Sequence, residues 1–163
     1  MATLRPNDYV ALVAACVVEA LTARPTGWTG RVVRGYDGAG ESQPCCPSGL
    51  LRVEWSATDR GNVIGTSQCR HRGYLEVHTI VRRCVSAFEI GPGGASDGSA
   101  PAVAVVEAES NLIMDDAWTV WEALSCCALD WQATVEDQSF VNIGTCKGSD
   151  TRMRIPCAVC CSS

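Results

Sequence analysis

The residues able to do chemistry are few in kind and crowded in one kind. Eleven cysteines stand at positions 16, 45, 46, 69, 84, 126, 127, 146, 157, 160 and 161, against two histidines, His71 and His78. A thiol nucleophile would pair Cys69 or Cys84 with either histidine, but no third group is placed to orient such a pair. Cys157-x-x-Cys160 with Cys161 has the knuckle spacing of a zinc site, for which Cys45, Cys46 or Cys146 would be the distant ligand. The second knuckle is missing, however, and the alternation of an apparent strand already accounts for Cys157. The third use is packing: a free cysteine behaves as a small hydrophobe, and Cys16 and Cys127 fall at helix-core spacing. Most of the thiols are therefore expected to be buried and free, with some disulfides as the next reading. An odd count leaves at least one without a partner in the chain. Asp115 and Asp116 are paired carboxylates, but at a helix's polar edge they are expected to face water. No GxSxG, phosphate-binding loop, dinucleotide fingerprint or HExxH is present. No catalytic residue, cofactor or metal is expected, and the chain reads as a non-enzyme.

The elements that hold these residues follow from the apolar spacing. Residues 8–22 form an amphipathic helix, with Asn7 or Asp8 as cap and Tyr9, Leu12, Val13, Cys16, Val17, Ala20 and Leu21 three and four apart. Pro25 and Gly27 end it. A strand is expected over 28–36, closed by the Gly-rich run at 37–41, and Pro44-Cys45-Cys46-Pro47 is a loop. Leu51, Val53 and Trp55 alternate with Arg52, Glu54 and Ser56, a half-buried strand. In 74–84, Leu75, Val77, Thr79 and Val81 share one face, with His78 on the other. Residues 91–100 lack an apolar anchor and form a loop or partner-contacting arm. After Pro101, with Ser99 as a possible cap, residues 102–129 are helical in pattern, with a possible break at Ser110 or Asn111. Strands over 131–136 and 153–159, joined by a less regular piece, complete the chain. The fold class is α+β: a mainly antiparallel sheet packed against two helices, in one domain over 1–163.

At 163 residues the chain can bury a core without staples. Charged residues are only 19% of it and the net charge is -5, which argues against a phosphate-binding surface. The basic groups at Arg70, His71, Arg72, Arg82 and Arg83 are expected on a solvated strand edge. A surface so poor in charge favours burial between subunits. Trp118 stands off the centre of the Val120, Trp121 and Leu124 stripe and is an interface candidate. The apolar stretch from Tyr9 to Leu21 is interrupted by Glu19 and lacks a convincing small-residue cleavage site, so neither secretion nor membrane insertion is expected. A compartment that keeps thiols reduced is the expected setting.

Four phrases carry a family resemblance: Tyr9-Val10-Ala11 in the first helix, GYLEVHTIVRRC at 73–84, LIMDDAWTVWEALSCC at 112–127 and GTCKG at 144–148. In this order, over most of the chain, they resemble the small neck proteins of long-tailed actinobacteriophages, above all the tail terminators. The resemblance implies an α+β subunit of a ring, as a hexamer, at the head-proximal end of the tail tube. Such a ring ends tube polymerisation and joins tail to head in the virion, after assembly in the host cytoplasm. The implied partners are other copies of the chain, the tail tube protein and the head connector or stopper proteins. The resemblance also implies that genomic DNA passes through the lumen without specific binding and that no membrane is involved. The loops at 37–49 and 91–100 are the expected contact arms, and Glu41 and Asp97 the acids expected to face the lumen. A head-completion, stopper or adaptor protein is the neighbouring reading. A small cytoplasmic binding domain with a C-terminal zinc knuckle is the alternative of a different class.

Overall fold

The apolar spacing of the first helix sets the architecture. In the computed structural model, α1 runs Pro6–Ala23. It starts two residues earlier than expected, with Pro6 in its first turn and Arg5, not Asn7 or Asp8, at the N-cap; Asp8, inside the first turn, accepts from the Arg5 N–H at 2.8 Å. The face it buries is Val10, Val13, Ala14, Val17 and Leu21, whereas Leu12 is 45% exposed. By length and mean hydropathy α1 is apolar enough to cross a membrane, yet this face lies in the core. The structure describes residues 5–38, 40–46, 48–58, 70–86, 102–127 and 133–160, and their side chains except those of 57, 58, 70–74 and 156–160.

Among the described residues five strands follow: β1 (Arg31–Tyr36), β2 (Leu50–Thr58), β3 (Arg70–Cys84), then, after helix α2 (Val103–Cys126), β4 (Thr134–Ile143) and β5 (Cys146–Cys160). They form one sheet in the order β1-β2-β3-β5-β4, with both helices on one face. The α+β class is as expected, and all pairs but one are antiparallel. The exception is β1, which pairs parallel to β2. A parallel neighbour cannot be reached by a tight turn, so the chain from 37 to 49 must travel back along the sheet to start β2. It does so over the face opposite the helices.

Alternation then decides the two faces. Leu51 and Val53 of β2, Leu75, Val77 and Val81 of β3, and Met153 and Ile155 of β5 meet α1 together with Val120 and Leu124 of α2. The register sets Leu51 beside Val81, Leu75 beside Ile155, and Val77 beside Met153. The helix α2 is unbroken through Ser110 and Asn111, with Ala102 as its cap residue. The piece expected to be irregular is instead a long hairpin. β4 and β5 are joined through Gly144 and Thr145, and Gly144 takes the positive φ that so tight a turn requires. The 91–100 loop, Ser99, Asp97 and Trp131 lie outside the described residues.

Candidate functional site

The sheet face away from the helices is polar, and the 37–46 segment seals part of it. Arg52 and Glu54 lie two residues apart on β2, so both point to this face, and both are buried. Arg52 grips the carboxylate as a fork, Nε to Oε1 at 2.8 Å and Nη2 to Oε2 at 2.7 Å. The backbone N–H groups of Gly38 and Gly40 complete the set, each donating to Glu54 at 2.9 Å. Gly40 approaches so closely that a Cβ there would lie 2.9 Å from the Arg52 side chain. The segment expected to contact a partner is tied to the sheet through Glu54, and Arg52 and Glu54 are buried beneath it. Glu41 itself is exposed.

Further along the same face, β3 and β5 carry a ladder of charges. His78 lies between two carboxylates, Nδ1 at 3.1 Å from Asp150 and Nε2 at 3.2 Å from Glu76. The hydrogen bond to Asp150, with help from Glu76, raises the imidazole above its ordinary pKa of 6.5 despite partial burial. Arg152 pairs with Asp137 and Glu76, and Arg154 with Glu136 at 2.9 Å. The carboxylates of Asp150 and Glu76 favour the protonated ring and tie His78 into the ladder. His78 lies six residues from Cys84 on an extended strand, about 20 Å, and Cys84 is disulfide-bonded, so this thiol–imidazole pair does not form. Cys69 and the His71 side chain lie outside the described residues.

On the helix side, Asp116 corrects an expectation. It is buried, at 2% exposure, where a solvated carboxylate was expected, while the Asp115 side chain is 70% exposed. Asp116 accepts from Arg24, at the end of α1, and from Arg83 of β3, whose guanidinium lies 5.1 Å from the Trp28 ring centroid. Two cations compensate its burial and tie three elements together. Arg82 is buried as well, and desolvation lowers its pKa. The pair Arg82 and Arg83 thus sits on the central strand inside the fold, not on a solvated edge.

The cysteines depart most from expectation. Of the seven whose side chains are described, six form the disulfides Cys16–Cys127, Cys45–Cys146 and Cys46–Cys84, and Cys126 is a free, exposed thiol. Helix-core spacing at Cys16 and Cys127 put these residues opposite one another, and proximity made them a bond rather than packing. Such bonds persist in oxidising surroundings and open to thiols in a reducing compartment. The other two bonds meet at one end of the sheet. Cys84 ends β3, Cys146 opens β5 directly across from it, and Cys45 and Cys46 arrive in the return segment. The Sγ atoms of Cys45, Cys46 and Cys84 all lie within 4.8 Å of one another. The knuckle expectation does not fit this place. Cys157 pairs with Gly73 at the far end of β5, and eleven extended residues from Cys146 span about 36 Å. Cys45, Cys46 and Cys146 are therefore out of reach as its distant ligands.

No protein-family model and no curated protein sequence matches the chain.

The remaining feature is apolar and exposed. Trp118, the interface candidate, is 67% exposed, and Met114 one turn before it is 51% exposed. Val106 continues the row through Ser110, so an i, i+4 ridge of α2 points away from the core. Phe140 and Ile143 of the edge strand β4 are exposed to a similar degree. Sequence spacing singled out Trp118 but not Phe140 or Ile143, because β4 was expected to end at 136.

Proposed function

We propose that this chain is a structural subunit of a ring at the head-proximal end of a phage tail tube, where it ends tube polymerisation and joins tail to head. The observation that supports the reading is the exposed Val106, Met114 and Trp118 ridge of α2. Isolated exposed apolar residues are ordinary, but an aligned row ending in tryptophan has the composition of an interface core. Both sheet edges, β1 and β4, are open among the described strands, and a ring of identical subunits joins two different surfaces head to tail. The α+β fold is of the class the family resemblance implies. Glu41, exposed on the stapled return segment, supplies an acid for a lumen that DNA passes without sticking. Assembly in the host cytoplasm and a hexameric count belong to the same proposal.

Solution mass and negative-stain imaging with purified tail tubes test it together. The chain is expected to self-associate and to form rings on tube ends. Trp118→Glu is expected to weaken subunit association by about 2 kcal/mol or more, roughly thirtyfold, with an unchanged circular-dichroism spectrum. A wild-type chain that stays monomeric and leaves tube ends bare rejects the reading.

A further inference from the structure

We propose that Cys45, Cys46, Cys84 and Cys146 form a tetrathiolate zinc site when their two disulfides are reduced. Four sulfurs from three chain segments already converge at one end of the sheet. Cys84 and Cys146 face each other across the β3/β5 ladder, and Cys45 and Cys46 are brought to them by the return segment. The Cα atoms of the two bonded pairs are 5.8 and 5.0 Å apart. The Sγ atoms of Cys45 and Cys46 are 3.8 Å apart. A tetrahedral zinc with Zn–S bonds of about 2.3 Å has sulfur–sulfur edges of about 3.8 Å. That edge is therefore present before any metal binds.

Reduction does not release the segment that supplies two of the ligands. Glu54 keeps the Gly38 and Gly40 N–H groups, the Gly49 N–H donates to the Cys45 carbonyl at 2.6 Å, and Arg31 donates to the Pro44 carbonyl. The Thr145 hydroxyl lies 4.0 Å from the Cys46 sulfur, placed to donate to a thiolate. Cys84 is exposed, so a soluble reductant can reach the Cys46–Cys84 bond. Each disulfide takes two electrons and two protons from one molecule of a dithiol, which leaves as its own cyclic disulfide. Zn²⁺ then displaces the four thiol protons, so four protons are released for each zinc bound. This site is independent of the ring proposal, since its ligands all come from one chain.

The test uses the full chain, reduced with excess dithiol and freed of it under anaerobic conditions, with Co²⁺ and Zn²⁺ as probes. One cobalt per chain is expected, with the charge-transfer and d–d bands of a tetrahedral tetrathiolate, and zinc should displace it. Calorimetry in buffers of different ionisation enthalpy should report the proton release. Cys84→Ser and Cys146→Ser should each abolish the four-sulfur spectrum, whereas Cys126→Ser and a Cys157→Ser/Cys160→Ser/Cys161→Ser triple variant should keep it. A reduced wild-type chain that binds no cobalt overturns the proposal, whether or not it stays folded. So does a tetrathiolate spectrum that survives Cys146→Ser or is lost in the triple variant.

Discussion

Glu54 shows how a single residue can be misread by pattern and yet decide the fold around it. Its place in an alternating strand marks it as outward-facing, which it is, but outward here means under the return segment. With four donors on one carboxylate, deletion leaves Arg52 as an unpaired buried charge and frees two backbone N–H groups. Glu54→Ala is expected to cost about 3–5 kcal/mol, read as a lower denaturation midpoint with an unchanged m-value. A loss below about 1 kcal/mol would mean that water reaches Arg52 and that the segment does not seal the face. His78 gives the pH-dependent counterpart. Its pKa is raised in the folded chain, chiefly by the hydrogen bond to Asp150, so protonation favours folding. That contribution is complete below the unfolded value of about 6.5 and is lost as pH rises through the higher folded value. Asp150, Glu76, Arg152 and Arg154 all face this ring, so the comparison must be made against His78→Gln in the same buffers. Wild type should exceed the variant by at most about 1 kcal/mol near pH 5.5, and the gap should close towards pH 8.5, because the ring keeps contact with water. A gap that widens with pH contradicts the assigned sign.

At the scale of elements, the helices and central strands were legible because their burial has a period. Leu75, Val77, Thr79 and Val81 alternate in sequence, and their side chains point to the helix face. β4 and the start of β5 were illegible for a physical reason. β4 is an edge strand with Phe140 and Ile143 facing out, so no burial pattern marks it, and Cys146-Lys147-Gly148 looks like a turn. Gly148 is instead a point of close approach between β5 and β3. A Cβ there would fall on the Val81 carbonyl oxygen and lie 2.7 Å from its carbon and 2.8 Å from the Cα of Arg82. Those are backbone atoms that cannot swing aside. Gly148→Ala is therefore expected to destabilise by about 3 kcal/mol or more. At Gly144 nothing lies within 4 Å, and only the left-handed backbone is strained, so Gly144→Ala should cost about 1–2 kcal/mol. Equal thermal melting shifts for the two variants would show that β3 and β5 are not this close at Gly148.

For the whole molecule, the sheet order and the cross-links were beyond local pattern, since both join residues far apart in the chain. Nothing near Tyr36 or Leu50 signals that β1 will run parallel to β2; only the length of the 37–49 return permits it. Cysteine spacing likewise cannot choose partners, and Cys126 and Cys127 show why. Cys126 is the last residue of α2 and faces solvent, whereas Cys127, just past the helix end with extended backbone, meets α1. Cys16–Cys127 joins the middle of α1 to the end of α2 across 111 residues. With Cys45–Cys146 already closed, the shorter circuit it completes is roughly 50 residues, for which chain entropy predicts about 4 kcal/mol. Packing of Val17 and Leu124 in the same core competes with that figure, because it survives when the bond is cut. Cys16→Ser/Cys127→Ser is expected to lose about 2–4 kcal/mol in non-reducing denaturation. In dithiol, where the wild type loses the same cross-link, that difference should collapse to within about 1 kcal/mol, the residue being the cost of placing two hydroxyls between the helices. If instead the variant matches the wild type without reductant, the two helices are held by their apolar faces alone. The bond then contributes nothing to stability beyond what 163 residues of well-patterned chain already supply.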